Sequence, residues 1–434
     1  MSIPEAEEQV GVGGDGGSGG PGEDLSWYIR LVTSLYIATF AVRVSFAMVF
    51  IAFPIYLGED IGYLEYALVL STWPIVETVM VLVVGAEIDQ RGRRTALVIS
   101  TGLAAVALSL FMLTDLPAWV AMVNGLIGVA AAGILVSSLT LMADYAPEER
   151  RGREMGVFQF VQIFGWVFGF AVGGVLVEVF EDRVAMVFMA SATLCAVAAV
   201  YAYINVREPR VKAYVTDVLT WGHLVKVLTQ RSVVLLVLPW FIIYLLLGSM
   251  FTFFPKVSFE ELDMTGFQLT GLLLLGGAII LVTLVVFGYL SDRFGRIPVM
   301  AVGAVGMVCL MFTVGLLVTT APEDGADGEL EEHFNSFIAP LAASAFLAGA
   351  FAPSALAALV DVSAQRRKGM TMGVYSFAIS LSMAVGPIVS GALIDTWGSW
   401  GYTAFLTGCG VLVLLFVARR WADTRAEARD GEEQ

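Results

Sequence analysis

Stretch after stretch of about 20 apolar residues, separated by short polar turns, runs through this chain, and each is long enough to cross the hydrocarbon core of a bilayer as a helix. In lipid every backbone N–H and C=O must find a partner inside the segment, so runs of this kind fold as helices. They predict helices over 28–57, 63–84, 95–114, 117–143, 155–179, 184–205, 232–254, 266–289, 297–319, 336–361, 370–394 and 399–419. The expected fold class is an all-α membrane protein with twelve transmembrane helices. With 58% hydrophobic and only 15% charged residues, and a mean hydropathy of +0.81, the chain is excluded from the ordinary soluble enzymes, of which about 25% is charged.

Charge orients the helices. Only Arg183 and Lys256 fall in turns on one side, Arg43 lies within the first span, and the other 21 of the 24 Lys and Arg lie on the side of the termini. Positive loops face the cytoplasm, so both termini are expected inside, in a multi-pass protein of the cell (plasma) membrane. The longest outer loop, 321–333, is acidic. The net charge of −15 leaves no basic patch to neutralise phosphates, so nucleic-acid binding is not expected. Residues 1–25 read as a disordered acidic, Gly-rich tail, 207–231 as a cytoplasmic amphipathic linker, and 421–434 as a cytoplasmic tail. The two bundles are then 26–206 and 232–420.

Cys195, Cys309 and Cys409 sit within apolar runs without a CxxC pair, and read as small buried hydrophobes. His223 and His333 are assigned to different loops, so no metal site and no cofactor is expected. None of the four lysines follows a glycine, so no phosphate-cradling GxxxxGK[ST] loop can be drawn.

The halves repeat. Gly85-Ala86-Glu87-Ile88-Asp89-Gln90-Arg91-Gly92-Arg93-Arg94 follows the second span, and Gly288-Tyr289-Leu290-Ser291-Asp292-Arg293-Phe294-Gly295-Arg296 follows the eighth, 203 positions on. Met155-Gly156 opens the fifth span and Met372-Gly373 the eleventh, 217 positions on. The second offset also pairs Asp144 with Asp361, and Gly169, Gly173 and Gly174 with Gly386, Ser390 and Gly391. Repeats of six spans belong to transporters that rock two bundles about a midplane site. GxxxDxxGRR and GxxxDRxGR, at matching loops of a duplicated chain, resemble the loop motif of the major facilitator superfamily over essentially the whole membrane region. The resemblance implies two pseudo-symmetric six-helix bundles and transport by alternating access.

Within these motifs Gly85 and Gly92 permit a tight turn, and Asp89 is a candidate latch to the start of the eleventh span. Arg93 is placed to pair with Asp144; Arg94 belongs to the same basic cluster. The resemblance implies that this network holds the outward-open state, with Gly288, Asp292, Gly295, Arg296 and Asp361 mirroring it toward the fifth span. The alternative is a static surface pair worth about 0–1 kcal/mol. Gly165, Gly169, Gly173 and Gly174 are similar to the family's GxxxGPxxGG antiport motif, but Phe170 stands where that motif has proline. A tight structural crossing and an antiport role both remain open. The eleventh span keeps Gly386-Pro387 and Gly391, the proline able to kink it. Asn124 occupies the place of the family's intramembrane arginine, so that arginine's coupling role does not transfer.

Arg43 lies mid-span, where a charge costs roughly 2.5–3.5 kcal/mol and should face a wet or polar interior. Glu77 is its natural partner, sharing a helix face with Trp73. Arg43 reads as a contact for an anionic solute, a tuner of Glu77, or half of a structural ion pair. Glu77 reads as a proton carrier. Gln159, Gln162 and Trp166 form a polar-aromatic face on the fifth span, and Tyr244 and Tyr375 are weaker cavity candidates. The expected function is secondary active transport of a small organic solute by a monomer, proton-coupled and weakly favouring export. Uptake or facilitated diffusion is the alternative within transport, and a non-transporting solute sensor the alternative outside it.

Overall fold

The computed structural model describes residues 21–58, 60–145, 151–180, 183–208, 231–260, 262, 264–322, 329–355 and 368–432. Among them twelve helices are long and apolar enough to cross a membrane. The first six are α1 (Pro21–Leu57), α2 (Tyr63–Arg91), α3 (Arg93–Leu110), α4 (Pro117–Tyr145), α5 (Arg151–Val179) and α6 (Ala185–Asn205). The second six are α7 (Arg231–Glu260), α8 (Gly266–Phe294), α9 (Arg296–Thr319), α10 (Glu329–Ala348), α11 (Lys368–Trp397) and α12 (Ser399–Glu432). No strand occurs among the described residues.

The halves pack in the same order. In the first, α1 lies on α5, α2 on α4 and α3 on α6; in the second, α7 lies on α11, α8 on α10 and α9 on α12. Across the seam the same symmetry sets α2 against α11 and α5 against α8. Large apolar side chains such as Leu113, Val179, Ile204 and Val285 lie exposed. On a soluble protein they would form an aggregating surface; on two bundles in a bilayer they meet lipid. The distal face of the molecule is the one away from both termini, and the proximal face is the one that carries them.

Close backbone approach makes the bundles compact. A Cβ at Gly169 would come within 2.6 Å of the Val44 carbonyl oxygen and the Ala47 Cβ, and one at Gly165 within 2.7 Å of the Arg43 Cβ. A Cβ at Gly173 would meet the Met48 backbone at 2.9 Å, whereas Gly174 faces α8 at Thr270 and Gly266. The glycine ladder of α5 thus presses on α1 with one edge and on the other bundle with its last member. Gly386, beside Pro387, touches the Leu245 backbone of α7, and Gly391 touches Tyr63 and Ala67 of α2. In both halves the motif glycine is left-handed: Gly92 and Gly295 each have φ 90°. The repeat is therefore one of backbone conformation as well as of sequence.

Several element expectations need correction. The expected disordered tail reached residue 25, but α1 begins at Pro21, where a fixed φ and a missing N–H suit the first helical position. α12 runs on to Glu432, its Ala-, Arg- and Glu-rich end being a good helix former. The tenth span is not one helix over 336–361. α10 starts at Glu329, and the chain turns at 349–350 before a helical stretch over 351–355. Pro353 cannot donate to the Gly349 carbonyl, so the α-ladder breaks there. His333, assigned to a loop, lies on α10 with Nε2 3.1 Å from the Leu317 carbonyl oxygen. Cys195 is buried, but Cys309 is exposed on α9 and Cys409 is partly buried. Lys256, counted as an outer-turn charge, is inside α7 and fully buried. The expected linker at 207–231 lies almost wholly outside the described residues.

Candidate functional site

Midway along the first bundle, α1, α2 and α5 bring four of the expected residues together. Gly165 lets α5 lie against α1 at Arg43, and the Arg43 Nε donates to the Gln162 Oε1 one turn before that glycine. On α2, the Trp73 Nε1 donates to the Glu77 Oε2 at 3.0 Å. Arg43 therefore spends its hydrogen bond on Gln162 and not on Glu77, although the two charges are near enough to act on each other. Gln162 and Trp73 are buried, whereas Arg43 and Glu77 are partly buried. Each charge has one neutral polar partner and an opposite charge close by. That is a stable way to hold ionisable groups at membrane depth without collapsing them into a fixed pair.

Rings wall this cluster. The Trp73 and Trp166 rings stack at 6.4 Å, with Phe50 set 5.3 Å from Trp73 and 5.7 Å from Trp166. Phe46 meets Trp73 edge-on at 4.9 Å. Trp166 also stacks on Phe251 of α7, with centroids 6.2 Å apart and planes 9° apart. This last contact carries the cluster across the seam between bundles. Offset or edge-on pairs of this kind contribute about 0.5–1.5 kcal/mol each beyond their area. Asn124 joins from α4: its Nδ2 donates to the Val69 carbonyl at 3.2 Å, and its Oδ1 is buried without a partner among the described residues. Gly128, one turn on, fits under the Trp73 carbonyl, where a Cβ would sit at 2.6 Å. Tyr244 is elsewhere, in the second bundle beside Trp240, with ring centroids 6.0 Å apart. The Gln159 and Tyr375 side chains lie outside the described residues.

On the proximal face, Arg93 donates to Asp144 in a partly buried ion pair linking α3 to the end of α4. Glu208, which sequence reasoning missed, caps α3: its two carboxylate oxygens accept from the backbone N–H of Arg93 and of Arg94, both at 2.7 Å. A carboxylate on two free N–H groups at a helix N-terminus is favoured by the helix dipole. Gly92 leaves room for it, since a Cβ there would meet the Glu208 carboxylate at 3.2 Å. Arg94 donates to the Tyr203 carbonyl and lies over the Tyr203 ring at 5.2 Å. The Tyr145 hydroxyl donates to the Arg207 carbonyl at 2.5 Å, and burial pushes that phenol above its ordinary range, so it stays a donor. The Asp89 side chain and all of Asp361 lie outside the described residues; Gly85, expected to permit a tight turn, instead continues α2, which runs on to Arg91, and the turn falls at Gly92. Of the mirror set, Gly288 and Asp292 end α8, with Asp292 exposed, Gly295 makes the turn, and Arg296 starts α9.

Two bundles of one packing order, meeting around partly buried charge at mid-membrane, make a membrane transporter of the two-bundle class. The chain belongs to the Major Facilitator Superfamily, whose family model matches residues 35–328 and 330–434. Among solved structures it is similar to the nucleoside transporter NupG, with TM-score 0.69 at 14% identity, covering 90% of this chain and 99% of that one. It is also similar to a bacterial homolog of the human lysosomal transporter Spinster, with TM-score 0.68 at 12% identity, covering 92% and 96%. These likenesses show the fold. Among curated relatives, a chloramphenicol resistance protein of Pseudomonas aeruginosa is 30% identical over 143 residues, covering 32% of this chain and 30% of the relative. The efflux pump bik6 of Gibberella fujikuroi is 32% identical over 82 residues, covering 18% and 17%. The matched stretches thus span less than a third of the curated relatives.

Proposed function

We propose that this protein is a proton-coupled secondary transporter that exports a small organic solute from the cytoplasm across the cell membrane by alternating access. The observation that carries this reading is the membrane-depth cluster of Arg43, Gln162, Trp73 and Glu77, roofed by the Trp166–Phe251 stack between bundles. It offers one cation, one carboxylate and several flat ring faces. That set suits a solute with a planar apolar body and an anionic or polar group. Both termini and the Arg93–Asp144 network then face the cytoplasm, in keeping with the bias of Lys and Arg to that side. The names of the partial relatives, one a resistance protein and one an efflux pump, support export.

In this reading Arg43 holds the anionic or polar end of the solute, and the tryptophans hold its body. Glu77 takes a proton when the site faces outward and gives it up on the other side. Loaded with an anionic solute and with Glu77 ionised, the cluster carries one net negative charge; empty of solute and with Glu77 protonated, it carries one net positive charge, so neither form that swings between the two sides is more than one unit from neutral.

Purified protein in liposomes, given an imposed pH gradient and an aromatic anion panel, tests the reading. Solute movement against its own gradient, driven by the proton gradient and abolished by a protonophore, is the expected result. Flux indifferent to the gradient would overturn coupling, and ligand binding without any flux would make the chain a sensor. Trp166→Ala should weaken solute binding about tenfold, the loss of about 1–2 kcal/mol of ring contact. Calorimetric titration reads this directly. An affinity unchanged in that variant would place the solute elsewhere.

A further inference from the structure

The two seams between bundles are closed at the distal face by the same device. At one, the Glu178 Oε2 at the end of α5 accepts from the backbone N–H of Gly266, the first residue of α8, at 2.7 Å. At the other, Asp395 at the end of α11 accepts from the N–H of Tyr63 at 3.1 Å and of Leu64 at 3.0 Å, the first residues of α2. Each carboxylate belongs to one bundle and each helix N-terminus to the other. The pairs are repeat mates, since Asp395 lies 217 positions after Glu178 and Gly266 lies 203 after Tyr63. These are the offsets that relate the fifth span to the eleventh and the second to the eighth.

The bonds sit on close backbone seams. A Cβ at Gly391 would meet the Tyr63 carbonyl at 2.8 Å, and the Thr270 hydroxyl of α8 donates to the Ala171 carbonyl of α5 at 3.1 Å. Beside the Asp395 seam, Lys256 of α7 is buried with its Nζ 5.4 Å from the Tyr63 ring centre and 5.2 Å from that of Tyr66, and it pairs with Glu260 at 2.5 Å. The first turn of α2 is thus held from two helices of the opposite bundle.

We infer that Glu178 and Asp395 are a reciprocal pair of latches that hold the distal mouth shut by placing a negative charge on the first N–H groups of a helix in the other bundle. A carboxylate there satisfies donors that have no partner inside their own helix and interacts favourably with the helix dipole. Neither bond survives parting of the bundles, so their free energy belongs wholly to the closed state. A capping bond within one bundle, such as Glu208 on α3, would be the same in both states and would bias nothing. The inference rests on the alternating-access reading, but concerns the mouth and not the solute.

The test measures the mouth directly. Spin labels go on Asp115→Cys and Thr320→Cys, in distal turns of different bundles, with the three native cysteines replaced. Pulsed dipolar spectroscopy then gives the label distance in full-length protein in nanodiscs, with no solute and no flux. Glu178→Gln should raise the ratio of open to closed distal mouths about fivefold, and the more exposed Asp395→Asn about threefold. The double variant should raise it by about the product, since the two sites share no partner. Glu65→Gln, which removes an exposed acid from the first turn of α2 without touching a bridging bond, should leave the distances unchanged. Unchanged distances in the double variant would overturn the inference, as would an equal shift in the Glu65 control. A protein that proves not to transport would still report its distances, so failure of the transport reading is distinguishable from failure of the latch.

Discussion

Glu77→Gln is expected to abolish proton-driven accumulation while leaving exchange of solute down its own gradient. The glutamine keeps the volume of the side chain and an oxygen that accepts the Trp73 indole N–H, now 3.0 Å from the carboxylate. It removes the one group in the cluster that can gain and lose a proton in step with the cycle. In the proposed mechanism the driven gradient should fall from tenfold or more to none, while counterflow stays within about threefold of the unsubstituted protein, since a fully matched neutral isostere costs little at a satisfied site. Both are read in one liposome preparation, with and without an imposed pH gradient. Proton-driven accumulation at full strength in this variant would place the coupling group elsewhere. Arg43 would then be left as a solute contact.

The second large effect is structural. Gly169→Val should prevent the first bundle from closing. Its Cβ would lie 2.6 Å from the Val44 carbonyl oxygen and 2.6 Å from the Ala47 Cβ, the first of which is backbone and cannot swing aside. Overpacking a well-filled core typically costs about 1–3 kcal/mol, and in lipid the lost close contact is itself the main force holding α1 to α5. A fall of several degrees in melting temperature in micelles is expected, together with loss of transport as Arg43 and Gln162 move apart. Gly276→Ala is the control: a Cβ there meets nothing within 4 Å, and Ala is the better helix former. If Gly169→Val melted like that control, the α1–α5 contact would not be what the packing implies.

Much of the fold was legible because its two determinants are written in one dimension. Apolar length marks helices that must satisfy their own backbones, and the repeated Asp, Gly and Arg at 85–94 and 288–296 mark the duplication. Helix ends were less legible, since charged residues such as those after Arg420 can continue a helix into water as readily as end it. The break after Ala348 depends on Pro353 and on packing against α8, which no run of hydropathy displays.

The candidate site was half legible. A lone arginine in an apolar span is conspicuous, and its nearness to Glu77 followed from the antiparallel path of α1 and α2. That Gln162 would take its hydrogen bond depends on the depth to which Gly165 admits α5, a matter of ångströms. Glu208, Glu178 and Asp395 went unnoticed because each looks like an ordinary polar residue near a helix end. Their partners are backbone N–H groups, which carry no side-chain signature. The offset of 217 between Glu178 and Asp395 was the one signal in the sequence that could have joined them. Lys256 was misplaced because charge alone suggested water, whereas two tyrosine rings and Glu260 make it a dry home.

The Trp166–Phe251 stack spans the gap where cargo is proposed to sit. A carrier whose vacant chamber is lined by rings that already lean on one another has no bare, hungry hollow when nothing is aboard. Under the proposed mechanism it would swing back without solute, carrying only the proton on Glu77. In the proposed mechanism net shipment in one direction requires such a solute-free return stroke, and a pure swap-shop does not, so this aromatic handshake would favour proton-driven export over solute-for-solute exchange.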